Sequence, residues 1–172
     1  AALLLAGQIP SAASLSKARE SEAGLREQIM AAMSGPGFRD FVIRGANDRL
    51  LVDGLLNGLN FGVDTIGRYP ALAELLKTLP EERPEEYEDY HSKPFLTRWD
   101  AEWAFRWAIT REPLELIAHV VMSDLSYQQV VTADHTMVNA FSDLAYRSDT
   151  GFSHDFGDAS GFYDRSEYQN FK

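Results

Sequence analysis

The chain has 172 residues, no cysteine, and 26 acidic against 16 basic side chains, for a formal net charge of −10 at pH 7. The missing cysteines exclude disulfide bonds, thiolate catalysis, cysteine-ligated zinc and covalent attachment of c-type haem within this chain. The acidic balance argues against nucleic acid as a partner, since phosphate binding needs clustered cations. No apolar run approaches the roughly 20 residues of a membrane-spanning helix.

The first third of the chain is predicted to form helices separated by clear stop signals. An apolar helical stretch covers residues 1–6, and Ser11 is placed to cap a short helix after it. Apolar residues at helical spacing over 25–33 predict a further helix, which Gly35-Pro36-Gly37 ends. The next apolar face, over 38–56, predicts another helix.

The middle of the chain mixes loop signals with one short helix. Glycines and asparagines over 56–69 favour a loop, and Pro70 is suited to begin a helix over 71–77. Residues 78–93 carry two prolines and a run of acidic side chains, and we interpret them as a solvated surface loop. A docking strip for a basic partner or a calcium site are the alternatives, although the carboxylates lack the fixed spacing of a calcium loop.

Thr97 begins a strongly predicted helix that runs to Ile109. All three tryptophans of the chain, Trp99, Trp103 and Trp107, fall on one stripe of it at i, i+4 and i+8. We interpret the stripe as packing in the core or at a subunit interface, with an aromatic wall against a haem or another chain as the functional alternative. Arg106 lies next to the stripe, so a cation–π contact is geometrically possible.

Pro113 is predicted to break the helix and to begin a new one that is apolar on most sides and therefore buried. Ser126 and Gln129 have the spacing of a capping box, which predicts a short helix through Val131. Residues 132–136 favour a structured turn, and residues 138–146 a final helix.

The last segment, residues 147–172, contains no Leu, Ile, Val or Met, so it cannot build a core of its own. Its aromatic side chains predict an arm that lies over another surface, either the parent domain or a neighbouring subunit. The aromatic residues that we expect to contact a partner are Phe152, Phe156, Phe162 and Tyr163.

These elements together predict a mainly α protein. A single irregular multi-helix domain of seven or eight helices is expected over residues 1–146, with an extended aromatic and acidic C-terminal arm over 147–172 and little or no sheet.

Three blocks of sequence carry a family resemblance: LLLAG-x-x-P at the start, GPGF-x-x-F with RGANDRLL, and the run REPLELIAHVVMSDLSY followed by TADHTMVN. They resemble a helical domain of planctomycete- and proteobacterial-type cell-envelope proteins of unknown function that are associated with c-type cytochrome segments. The resemblance implies a periplasmic or extracellular setting and longer relatives with C-x-x-C-H haem sites. This chain departs from it by lacking cysteine and by placing His135 where tyrosine is usual.

No catalytic or metal-binding motif accompanies these blocks. His119, His135 and Met137 are candidate ligands to a haem held by a partner chain or by another part of the polypeptide, although core histidines and a space-filling methionine are the blander interpretation. A hydrolase would need carboxylates to converge, and Asp48 and Asp134 are the acidic residues inside the matching blocks that we consider for it.

The sequence thus favours a non-catalytic structural or scaffold subunit, or a fragment of one, in a cytochrome-associated cell-envelope or extracellular assembly whose partners are other protein chains. The alternative is an electron-transfer component that contributes a haem ligand or a haem-contacting surface.

Overall fold

The structure, a computed structural model, describes residues 5, 7–52, 54, 68–81, 97–152 and 169–171, the last three by their backbone alone. Several sequence predictions fall outside these ranges. They are most of the apolar stretch over 1–6, the loop over 56–67, the acidic segment over 82–93, and Phe156, Phe162 and Tyr163.

The chain forms two compact units. The first combines Ala1–Leu51 with Leu114–Ala133, and the second combines Val52–Pro113 with Asp134–Lys172. One long helix contributes its first part to the second unit and its last part to the first.

The first unit begins with three helices: α1 (Ala12–Glu20), α2 (Glu22–Met33) and α3 (Pro36–Leu50). The helix predicted after Ser11 is confirmed, since the Ser11 hydroxyl accepts a bond from the Ser14 amide. Ser21 has extended backbone between α1 and α2 and caps the second helix in the same way. The buried side chains of this unit are Phe38, Ile43, Leu114, Glu115, Ala118 and Val120.

The second unit contains α4 (Pro70–Thr78), which begins at the predicted proline, and most of α5 (Arg98–Met122). Alanines along α5 leave room for the larger side chains of α4 and of a later helix. The resulting core consists of Leu72, Leu76, Ala101, Ala104, Phe105, Ala108, Phe141 and Ala145.

The predicted break at Pro113 is wrong, because α5 runs without interruption from Arg98 to Met122 with the proline inside it. Pro113 removes one hydrogen bond from the helix, at a typical cost of about 3 kcal/mol. Pro113 itself is exposed, while Ala108 before it and Leu114 after it are buried. Burial on both sides of the proline outweighs the lost bond and keeps the helix continuous.

The capping box predicted at Ser126 is also wrong. The short helix α6 (Gln129–Thr132) follows Gln128, whose side chain makes no capping bond. The real capping box lies further on, at Asn139, which caps α7 (Ala140–Tyr146) together with Ser142.

A two-stranded antiparallel pairing joins the tail to the second unit. Strand β1 (Thr136–Val138) pairs with β2 (Gln169–Phe171), so Val138 is part of a strand and not of the predicted helix. The backbone of residues 169–171 therefore lies on the parent chain. Within the described ranges the molecule has seven helices and little strand, which confirms the mainly α fold.

Candidate functional site

The three tryptophans form one face of α5, which we call the Trp face. The rings of Trp99 and Trp103 are almost parallel, with 4° between their planes and 6.1 Å between their centroids. Trp99 is 63% exposed, whereas Trp103 and Trp107 are partly buried. A side chain this large and this exposed on a helix is a feature of contact surfaces, where tryptophan is enriched.

Charged side chains lie on the neighbouring stripe of the same helix. The Arg98 Nε is 3.3 Å from the Glu102 carboxylate, and the Arg106 guanidinium is 4.0 Å from it. The cation–π contact on the Trp face involves Arg111 and not Arg106, since the Arg111 guanidinium lies 4.6 Å above the centre of the Trp107 ring. Three arginines thus accompany the Trp face in a chain whose net charge is −10.

The three candidate haem ligands are not gathered at one place within a unit. His119 is half-buried in the first unit, while His135 and Met137 belong to the second. Met137 is buried in β1, and the His135 imidazole lies 3.4 Å from the Asp134 carboxylate. The role of these three residues as haem ligands stays a prediction.

The remaining candidates are distributed in a similar way. Phe152, the described member of the aromatic arm, is partly buried. Asp48 is exposed in the first unit and Asp134 is exposed in the second. Among the described residues there is no group of acidic side chains and histidines able to hold a metal ion, and no helix long and apolar enough to cross a membrane.

A buried acid that the sequence did not single out forms a second feature of interest. Glu112 is only 7% exposed, and its Oε2 accepts bonds from the Tyr146 hydroxyl at 3.2 Å and from the Thr136 hydroxyl at 3.4 Å. Its other oxygen, Oε1, is buried without a hydrogen bond of good geometry to any described residue. We call Glu112, Thr136, Ser142 and Tyr146 the Glu112 cluster.

Burial raises the pKa of Glu112 from 4.5 to about 7, an effect that the hydroxyls of Ser142, Tyr146 and Thr136 offset only in part. Burial also raises the pKa of the Tyr146 hydroxyl, and the carboxylate charge of Glu112 adds to this. Glu112 therefore changes its charge near neutral pH, where an ordinary glutamate is fully ionised.

The sequence did contain a signal for Glu112. Ala101, Ala104, Ala108, Glu112 and Glu115 follow one another at steps of three and four residues, so all five lie on the stripe of α5 that faces a core. The predicted break at Pro113 divided this stripe in two. A helix continued through the proline would have placed both glutamates on the buried side.

Carboxyl groups with a raised pKa also act as catalytic acids and bases, but a catalytic carboxyl needs access to a substrate. The Glu112 carboxyl is itself buried and is bonded to hydroxyl groups of the fold. An open depression of about 370 Å³ lies elsewhere, against α1, where Leu15, Arg19 and Glu20 line it. The geometry of the cluster fits a structural acid.

Comparisons with known proteins leave the chain without an assigned relative. No family model, no curated protein and no solved structure matches it. The Trp face and the Glu112 cluster are therefore the features from which a function is inferred.

Proposed function

We propose that this chain is a non-catalytic scaffold domain that binds another protein through the Trp face of α5. The observation that carries the proposal is the parallel stacking of Trp99 on Trp103, with the Trp99 side chain 63% exposed. Two adjacent indoles offer a large, rigid apolar area with little side-chain entropy to lose, which is why tryptophan so often dominates binding energy.

The charges beside the Trp face indicate the partner's chemistry. Among the described residues, Arg98 and Arg106 pair with Glu81 and Glu102, and Arg111 lies over Trp107. The described part of this stripe thus carries three cations against two anions, in a chain whose net charge is −10. We infer a partner segment that combines carboxylates with aromatic or proline residues.

A binding measurement with two synthetic peptides tests the proposal. The first peptide combines Asp and Glu with Phe and Pro, and the second replaces each acid by lysine. We expect the acidic peptide to bind more tightly than the basic one and to lose affinity as salt is raised, since exposed charge pairs are screened. Equal binding of the two peptides would contradict the inferred partner chemistry.

The role of the indoles is tested with a double variant, Trp99→Ala with Trp103→Ala. It should raise the dissociation constant of the acidic peptide at least tenfold, or about 1.4 kcal/mol, because the two side chains supply most of the apolar contact. Val131→Ala is the matched control, as Val131 is 85% exposed and belongs to the other unit. A double variant that binds like the control would refute the assigned surface.

The setting of the scaffold is a separate part of the proposal. A cytochrome-associated assembly of the cell envelope is supported by the resemblance of the sequence blocks, and since these 172 residues contain no C-x-x-C-H segment, a covalent haem would be held by a partner chain or by another part of the polypeptide. Absorbance of the intact assembly tests this: a Soret band is expected, and its absence would exclude the cytochrome association.

A further inference from the structure

Glu112 connects three elements of the second unit through a single carboxyl group. It projects from α5, while its two hydrogen-bond donors are Thr136, the first residue of β1, and Tyr146, the last residue of α7. The bonds therefore fix both ends of the segment 136–146 to the long helix. This arrangement is independent of the Trp face and of the proposed scaffold function.

Burial disfavours the charged form of Glu112, and the hydroxyl groups that face the carboxyl offset this effect only in part. From α7 it faces the Tyr146 hydroxyl, whose ring lies 5.9 Å from that of Tyr69 ahead of α4. From β1 it faces the Thr136 hydroxyl, next to His135. On its own helix Arg111 is adjacent in sequence, but that guanidinium lies over Trp107.

Asp143, a buried acid on α7, has a different structural role. The Asp143 carboxylate accepts bonds from the Ser148 hydroxyl and the Thr150 amide, so it stabilises the turn after α7. Burial, and no charged neighbour, is the main influence on the pKa of Glu112. An ionised Glu112 would leave a buried carboxylate oxygen without a good partner, whereas a protonated one leaves only a neutral oxygen.

We propose that Glu112 is a proton-dependent clamp, which holds the segment 136–146 against α5 while its carboxyl is neutral and loosens that segment when the carboxyl ionises. Three features carry this: the burial of the carboxyl, its Oε1 without a bond of good geometry, and its two hydroxyl donors at opposite ends of one segment.

The clamp predicts a definite sign for the pH dependence of stability. The pKa of Glu112 is about 7 in the folded chain and near 4.5 in an unfolded one, so the folded state binds more protons between these values. The stabilising effect is complete below pH 4.5 and is lost as pH rises through about 7. The unfolding equilibrium constant should rise by roughly 50- to 100-fold from pH 5 to pH 8 through this residue.

Glu112→Gln tests the proposal, because glutamine is neutral at every pH and has nearly the same shape. Urea denaturation between pH 5 and pH 8 gives the unfolding equilibrium constant of the wild-type chain and of the variant. From pH 5 to pH 8 this constant should rise by roughly 50- to 100-fold more in the wild-type chain than in the variant. Glu74→Gln is the control, as Glu74 is 73% exposed on α4 and its replacement should leave the profile unchanged. Identical profiles for the wild-type chain and Glu112→Gln would overturn the proposal.

Hydrogen exchange locates the effect. The exchange rates are first corrected for the intrinsic pH dependence of exchange. In the wild-type chain, the exchange rate of amides in residues 136–146, relative to that of amides in α2, should be higher at pH 8 than at pH 6. In Glu112→Gln this ratio should not change with pH. Uniform loosening of both units would contradict a clamp that acts on this segment.

A second variant keeps the proposal testable if Glu112→Gln does not fold. The Tyr146 hydroxyl lowers the pKa of Glu112, so Tyr146→Phe should move the transition to higher pH. Tyr127→Phe is the control, since Tyr127 is 69% exposed. An unchanged or lower transition pH in Tyr146→Phe would refute the role of Glu112.

Discussion

The described residues include four buried acidic side chains, and these have different kinds of partner. Asp100 accepts bonds from the Thr97 amide and hydroxyl at the start of α5, and Asp143 accepts from residues that follow α7. Glu115 pairs with Arg39. The hydrogen bonds that Glu112 accepts from described residues come from hydroxyl groups, and burial raises its pKa to about 7.

Asp143 provides the first prediction at this scale. It is completely buried, and Asp143→Ala would remove the carboxylate that accepts bonds from the Thr150 amide and the Ser148 hydroxyl. We expect the free energy of unfolding to fall by about 3 kcal/mol, since bonds to a charged group are among the stronger ones. Urea denaturation measures this.

Asp149→Asn is the control for Asp143→Ala. Asp149 is exposed and has left-handed backbone with φ of 52°, a conformation that asparagine adopts readily. A change below about 0.5 kcal/mol is expected. If both variants lost the same free energy of unfolding, the buried hydrogen bonds of Asp143 would not explain the loss in Asp143→Ala.

At the scale of elements, the ends of helices were easier to predict than their continuity. Ser11, Pro70 and Thr97 each mark a helix start that the structure confirms, because capping and φ restriction act within a few residues. The continuity of α5 through Pro113 depends on burial supplied by residues distant in sequence. Local signals do not contain that information.

Two glycines in neighbouring helices give opposite predictions. A Cβ added to Gly24 would lie 2.2 Å from the Lys17 carbonyl oxygen of α1, so α1 and α2 touch backbone to backbone at this point. Gly24→Ala must push the helices apart, and we expect a loss of about 2 kcal/mol. Thermal unfolding followed by circular dichroism measures it.

Gly45 is the matched control in α3, where an added Cβ meets nothing within 4 Å. Gly45→Ala should raise the free energy of unfolding by up to about 1 kcal/mol, because alanine loses less backbone entropy in a helix. A Gly24→Ala variant as stable as Gly45→Ala would show that α1 and α2 do not approach so closely.

At the scale of the whole molecule, long-range pairs decide which segments belong together. Arg39 on α3 bonds Glu115 on α5 across 76 residues of sequence, and the Glu115 side chain is 1% exposed. Nothing in the local sequence of either residue identifies the other. The same holds for Glu112 and Tyr146, which are 34 residues apart.

Arg39→Met should destabilise the chain by about 3 kcal/mol, because it removes the cation from a buried carboxylate. The double variant Arg39→Met with Glu115→Leu should recover much of that loss, since it removes the charge as well as its partner. Both are measured by urea denaturation.

Lys17→Met is the control for the buried pair. Lys17 and Glu27 are about half-exposed, so their ion pair contributes at most about 1 kcal/mol. Equal losses in Arg39→Met and Lys17→Met would mean that burial adds nothing to the Arg39–Glu115 pair.

The confinement of all three tryptophans to nine consecutive residues of α5 has a spectroscopic consequence. Trp99, Trp103 and Trp107 belong to the second unit, so the indole fluorescence of the protein originates there, while the backbone ellipticity arises from both units. Coincident transitions in the two signals would mean that the units unfold together. Separated transitions would assign the fluorescence change to the second unit without any added label.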